Sequence, residues 1–303
     1  NSVITVSGSW LATGTGDFIS GTSTVRFDGT SGSYNMVASG SFFNFIINGT
    51  GALYTATGGT FDINGNITLS AGTFTASSGT TTVSGSWTKG ANATFNHNSG
   101  SLTLDGTDQT ISGSTVFYNL TKTVTAAQTL TFISTEQTSV SGALTLQGAA
   151  SNLLSLRSTL SGSASNLLLD NSGGSQTIDY LDVKDNDASG GAALSCDVNV
   201  DGCVNSGNNT NWTFGHIIWD GGGADNNWST AANWSGDSVP TSTDSVKFDG
   251  TGKKDSVIDA SFAGTISGML MSSNPRRRGT SLTRSTISYS GLPGVRVRSG
   301  IAR

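Results

Sequence analysis

Charge is scarce in this sequence. Charged residues make up 12% of 303, and Glu136 is the single glutamate. With Lys, Arg, Gln and Met also sparse, long helices are excluded. Proline occurs 3 times and glycine follows no three-residue period, which excludes collagen. No run of about 18 apolar residues exists, so no helix of this chain spans a membrane. Disorder is excluded too, because disordered chains are charge-rich and poor in β-branched and aromatic residues. What the chain does contain is 41 Gly, 47 Ser and 42 Thr, with Val, Ile and Phe between them. Turn formers alternating with β-branched residues read as an all-β protein of many short strands.

The net charge of −5 hides an asymmetry. Residues 1–274 carry all 20 acidic side chains and 8 basic ones, whereas residues 275–303 carry 7 Arg and no acid. An acidic, hydroxyl-rich body is a poor nucleic-acid binder, since phosphate affinity needs clustered Lys and Arg. It suits a solvated extracellular surface. The two cysteines, Cys196 and Cys203, are close enough for one small-loop disulfide, which fits an oxidising compartment. The first residue is Asn and strand-like sequence (Val3-Ile4-Thr5-Val6) follows at once, so the chain reads as a processed product or a piece of something larger.

Internal similarity is the strongest signal. Val6-Ser7-Gly8-Ser9-Trp10 recurs as Val83-Ser84-Gly85-Ser86-Trp87, an offset of 77. Asp28-Gly29-Thr30 recurs at the same offset as Asp105-Gly106-Thr107, and once more as Asp249-Gly250-Thr251. Phe43-Asn44-Phe45 corresponds to Tyr118-Asn119-Leu120 at an offset of 75. The pattern implies a degenerate repeat of about 75 residues built from shorter strand–turn units. Those units alternate: Phe61, Ile63, Ile67 and Leu69 point one way, with Asp62, Asn64 and Thr68 between them. Such strands suit a sandwich, a barrel or a solenoid, and the repetition favours the solenoid, whose stacked coils share one continuous core. Stacked Asn amides can satisfy its turn backbones.

Residues 144–215 are more apolar, with Leu153-Leu154-Ser155-Leu156 and Leu167-Leu168-Leu169, and end at Asn211-Trp212-Thr213-Phe214. A new segment begins at Trp219. Thr80–Trp87, Leu104-Asp105-Gly106-Thr107, Gln109-Thr110-Ile111-Ser112-Gly113 and Phe117-Tyr118-Asn119-Leu120 resemble the repeat units of large bacterial surface proteins. Val183-Lys184-Asp185 with Gly207-Asn208-Asn209-Thr210-Asn211-Trp212 is similar to the closing coil of one β-helical unit. Trp219-Asp220-Gly221-Gly222 with Asn226-Asn227-Trp228-Ser229-Thr230-Ala231-Ala232-Asn233-Trp234 resembles the opening of autotransporter-associated β-strand repeat proteins. The resemblance covers roughly residues 6–262 and implies a secreted parallel β-solenoid. It does not reach the tail.

Chemistry-bearing residues are few. His97 and His216 lack metal-ligand spacing, and no Gly-x-Ser-x-Gly elbow joins a strand to a helix. The dense acidic cluster is Asp179, Asp182, Asp185 and Asp187, with Arg157 and Lys184 as nearby bases. A polysaccharide hydrolase would need two carboxyls about 5–10 Å apart across a cleft, but pleat parity divides these residues between faces. The best metal candidate is Asp197-Val198-Asn199-Val200-Asp201-Gly202, the first half of a calcium loop. Asp197, Asn199 and Asp201 would offer side-chain oxygens, Cys203 a carbonyl, and Asn205 an oxygen or a held water. Position twelve is Asn208, where tight binding would require a bidentate carboxylate; the competing reading is a polar turn closed by Cys196–Cys203.

Trp219, Trp228 and Trp234 are candidates for stacking on glycans, though a packing role explains their placement at a unit boundary better. An ice-binding array would need a flat, regular Thr-x-Thr pattern; Thr73/Thr75 and Thr80/Thr82 fit locally, and the linear sequence does not sustain it. The Arg-rich tail reads as a polyanion anchor, a mobile terminus, or the product of a reading-frame slip near Asn274.

These observations lead to an all-β chain with a right-handed parallel β-helix (β-solenoid) as fold and β-sandwich repeats as the alternative. Its regions are a solenoid over 1–215, a second β-repeat unit over 216–274, and a tail over 275–303 outside the repeat fold. The expected role is a non-catalytic structural or adhesive segment of a bacterial surface protein, secreted or cell-surface, with self-association and a tendency to form fibres. The expected partners are a second copy or a larger parent chain, and surface glycans. No nucleic acid is expected on the body, and no cofactor beyond structural calcium. The alternatives are a glycan-binding module and a polysaccharide lyase or hydrolase.

Overall fold

The computed structural model describes residues 2–12, 18–37, 40–196, 202–241, 244–248, 250, 252, 254–262, 264–266, 268–271 and 296–297. Strand makes up 54% of the described residues, and the parallel sheets stack into a β-solenoid of about 9 turns. No helix among the described residues is long and apolar enough to cross a membrane. Contacts divide the chain into two compact units, one of residues 1–194 and 204–212, the other of residues 195–203 and 213–303.

In the first unit, one sheet runs from Val3–Val6 through Thr24–Phe27, Asn44–Thr57, Ile67–Thr75, Trp87–Asn96, Gln109–Ser112, Gln128–Phe132, Leu154–Ser158 and Leu181–Val183 to Val204–Asn205. A second sheet stacks Phe18–Ile19, Gly40–Phe42, Thr60–Ile63, Thr80–Val83, Ser101–Leu104, Asn119–Thr123, Ala143–Gln147 and Ser175–Asp179. From Gln109 onward a third sheet appears, made of Thr115–Phe117, Gln137–Val140, Ser165–Leu169, Asn186–Asp187 and Asn209–Thr210. The long strands of the early coils are bent by glycine. Gly72 has φ +85°, and a Cβ there would lie 2.1 Å from the Gly49 carbonyl oxygen, so no other residue fits. Gly113, φ +86°, makes the corresponding corner where the first and third sheets part.

Alternation fills the core. Phe45 is fully buried, its ring 5.4 Å from Phe27, 5.3 Å from Phe42, 5.2 Å from Phe61 and 5.4 Å from Phe74. Later coils replace these rings by Leu. Leu154, Leu156, Leu167 and Leu169 face inward, while Leu153 and Leu168 are half-exposed. Stacking thus buries a continuous apolar column from a few inward residues per coil, which no single coil could do alone.

The coil is shorter than the repeat read from the sequence. In the first sheet paired residues lie 20 to 27 positions apart, Thr24 against Asn44 at the short end and Leu154 against Leu181 at the long end. The 77-residue offset is not a whole number of coils. Val6 stacks through Phe27, Ile47 and Leu69 onto Lys89, whereas Val83 stands in the second sheet between Ile63 and Leu104. The repeated pentapeptide therefore marks a strand–turn unit used at two different corners.

The same holds for the Asn-centred tripeptide. At one corner Asn44 accepts from the Asn66 N–H at 3.0 Å and donates to Thr24 Oγ1 at 3.4 Å. At another, Asn119 accepts from the Ala143 N–H at 2.7 Å and donates to Ser101 Oγ at 3.0 Å. Each amide ties its coil to the one before and the one after, satisfying turn groups that the ladders leave over. A third stack, Ser165, Asn186 and Asn209, runs in register and is buried.

The second unit also stacks parallel strands, His216–Ile218 on Ser245–Phe248 on Gly268–Met271. Its core is Ile217, Trp219, Trp228, Trp234, Val246 and Phe248. Of the tail, Arg296–Val297 is described, and it pairs antiparallel with Ser256–Val257.

Candidate functional site

The acidic cluster is divided among the sheets and turns of the solenoid. Asp179 ends a strand of the second sheet, Asp182 lies in the first sheet, Asp185 in the turn that follows, and Asp187 in the third sheet. Each carboxylate has a local task. Asp179 accepts from Gln147 Nε2 at 2.6 Å, and Asp187 from the Ser189 N–H at 2.8 Å. Asp182 forms an ion pair with Arg157 and accepts from Ser206 Oγ at 2.5 Å. Arg157 also donates to the carbonyl oxygens of Asp182 at 2.6 Å and Leu156 at 2.9 Å.

Asp185 is 3% exposed and accepts from Asn208 Nδ2 at 2.7 Å and the Gly162 N–H at 3.0 Å. Burial works to raise its pKa, but these two donors, with the charges of Lys184 and Arg157, outweigh it and hold the carboxyl below its ordinary value. Its backbone carbonyl accepts from the Ser165 N–H at 2.9 Å. Asp185 thus pins one turn to both neighbouring coils.

Of the calcium-loop candidates, Asp197, Asn199 and Asp201 lie outside the described residues. Cys203 forms a disulfide with Cys196, their Cα atoms 5.8 Å apart. Asn205 Oδ1 accepts from the Gly207 N–H at 3.1 Å and Asn209 Nδ2 at 2.8 Å, so its oxygen is engaged within the solenoid. Among the described residues, no group of three His, Cys, Asp or Glu side chains is placed to hold a metal ion.

Trp219, Trp228 and Trp234 come together edge to face and are 2%, 1% and 0% exposed. Trp234 Nε1 donates to the Trp228 carbonyl at 2.9 Å. With their faces covered by one another and by Phe248, these indoles present no open ring to a sugar in this conformation. Around them Asp225 accepts from the Asn227 N–H, Thr230 Oγ1 and Asn233 Nδ2, and these bonds lower its pKa. His97 accepts from the Ser99 N–H at 3.0 Å and stacks on Tyr118.

Lys122 was not singled out in the sequence, and its position is unusual. It is completely buried, on the inward row that also holds Val83, Leu104 and Leu146. Nζ donates to Gln109 Oε1 at 2.6 Å, the Gly106 carbonyl at 2.9 Å and the Thr107 carbonyl at 3.1 Å. Burial lowers its pKa to about 8, against the raising effect of Asp108 and Asp105. Gln109 in turn donates to the carbonyls of Val83 and Gly85. The pair thus fastens the Asp105-Gly106-Thr107 turn from inside. Parity was the available signal: Leu120-x-Lys122-x-Val124 places a lysine on the inward side of its strand. Comparison with family models, with curated proteins and with solved structures finds no match for this chain.

Proposed function

We propose that this chain is a non-catalytic structural or adhesive segment of a secreted or cell-surface protein of a bacterium. The observation that carries the reading is the parallel ladder of the first sheet, continuous from Val3–Val6 to Val204–Asn205. At about 4.8 Å per strand step, its nine steps make a rod of roughly 43 Å held by backbone hydrogen bonds and one apolar column. The Cys196–Cys203 disulfide supports an oxidising location. Self-association or continuation in a larger parent chain is part of the reading: Leu11 and Ile19 of the first described coils are 63% and 88% exposed.

Antibodies raised against the purified chain test the location, and intact cells should label as strongly as lysed ones. Labelling only after lysis overturns the reading. Sedimentation velocity tests the association. Wild-type chain should grow with concentration, and Ile19→Lys with Leu11→Lys should suppress that growth. Release of reducing sugar from acidic polysaccharides, lost on substitution of Asp182, would replace the structural reading by an enzymatic one.

A further inference from the structure

The linear pattern of threonines is irregular, yet the fold aligns them. In the second sheet, Thr82, Thr103, Thr121, Thr145 and Thr177 stand in direct register on five successive coils. They lie on the outward parity, because the neighbours on either side, such as Leu102 and Leu104 or Leu144 and Leu146, are buried. Two residues before them along each strand runs a second row of small side chains, Thr80, Ser101, Asn119, Ala143 and Ser175. The second sheet pairs through its coils with no register shift, its outward row passing from Ile19, Ser41 and Asp62 into the five threonines, whereas the first sheet carries shifts at Ile47/Asn48, Asn48/Leu53 and Lys89/Asn92.

We propose that this outward face of the second sheet is an ice-binding surface, its occupant the ordered water lattice of a crystal plane. Three features point there. Rows repeat at about 4.8 Å along the solenoid and at about 6.6 Å across it, the strand separation and twice the rise per residue. These two distances lie close to the repeats of water oxygens on a prism face of hexagonal ice. Threonine offers both a hydroxyl that can enter the lattice and a methyl that sits against it. Branching at Cβ holds χ1, so the rank is ordered before contact and little freedom is lost on binding. Among the described residues the hydroxyls of Thr103, Thr121, Thr145 and Thr177 take no protein partner, which leaves them for water. Within the row charge is confined to its end, where Thr82 donates to Asp62, and on the flanking row Asp179 is engaged by Gln147. The outward row of the first sheet, with Arg26 and Ile46 beside Thr68, has no such regularity. This inference does not rest on the surface-protein reading.

Ice recrystallisation inhibition by the purified chain, with crystal habit watched during slow growth, tests it. Wild-type chain should halt coarsening and facet the crystals. The double variant Thr103→Tyr/Thr121→Tyr, which raises two rings from the threonine row, should lose both effects. Thr68→Tyr, on the other sheet, should keep them. Far-UV circular dichroism checks that each variant is folded, and if the double variant unfolds, Thr145→Tyr alone should show the same loss. The proposal is overturned if folded wild-type chain leaves ice growth unchanged, if Thr68→Tyr loses as much as the double variant, or if the double variant stays active. Binding to microcrystalline chitin or cellulose that disappears in the double variant, without any effect on ice, would assign the face to a polysaccharide and also overturn it.

Discussion

A lysine enclosed in an apolar column makes the solenoid's stability rise with pH, the reverse of what a lysine held by an ion pair would do. Lys122 titrates near 8 in the folded chain, against an ordinary value of 10.5. Between those values the unfolded chain binds the proton and the folded chain does not, so stability rises with pH and levels off above the unfolded value. The shift corresponds to roughly 3 kcal/mol gained between neutral pH and pH 10.5. Tyr54 acts against this only above about pH 10, because burial raises its pKa and the folded chain then holds the proton more tightly. The clean window is therefore pH 8 to 10.

Urea midpoints followed by circular dichroism at half-unit steps should climb through that window. Lys122→Met should abolish the climb. At pH 7 the same substitution leaves Gln109 Oε1 and the carbonyls of Gly106 and Thr107 without their donor, at about 1–3 kcal/mol for each that stays unpaired. A flat or falling midpoint from pH 8 to 10 in the wild-type chain, or an equal climb in Lys122→Met, would refute the reasoning.

Other perturbations separate the levels of structure. Phe45→Ala should cost about 3–5 kcal/mol, since four aromatic neighbours close on a fully buried ring; Thr123→Ala, at an exposed strand end, should stay within about 0.5 kcal/mol in the same urea titration. Asn44→Ala and Asn119→Ala should each cost about 1–3 kcal/mol and add independently, because the two amides serve different corners; non-additive melts would show that the corners share a network. Trp234→Ala should erase most near-ultraviolet dichroism of the indole cluster and destabilise its unit by about 3–5 kcal/mol, and an unchanged near-ultraviolet spectrum would contradict the packing described for it.

Much of the local structure was legible in order along the chain. Phe61, Ile63, Ile67 and Leu69 alternate with polar residues, and all four are buried. The tripeptides centred on Asn44 and Asn119 matched each other in sequence because they perform the same task. The period they suggested was too long, since a corner unit can recur at any corner and its recurrence does not count coils. The acidic cluster looked dense in sequence only because a coil brings its corners close along the chain. In space those corners face different ways: Asp179, Asp182 and Asp185 are taken up by neighbouring coils, and Asp187 by its own turn.

The sequence by itself determined the class of fold. Few charges, abundant β-branched residues and period-two alternation leave a stacked β architecture as the outcome, because those properties act within four to six residues. Only the tertiary structure decided which residues share a row. Successive threonines of the outward rank are 18 to 32 residues apart, from Thr103 to Thr121 at one extreme and Thr145 to Thr177 at the other. Turns absorb that difference while backbone hydrogen bonds fix the register, so a regular array in space is written irregularly in sequence. The same registration set Lys122 among leucines and made it the chain's most unusual buried group.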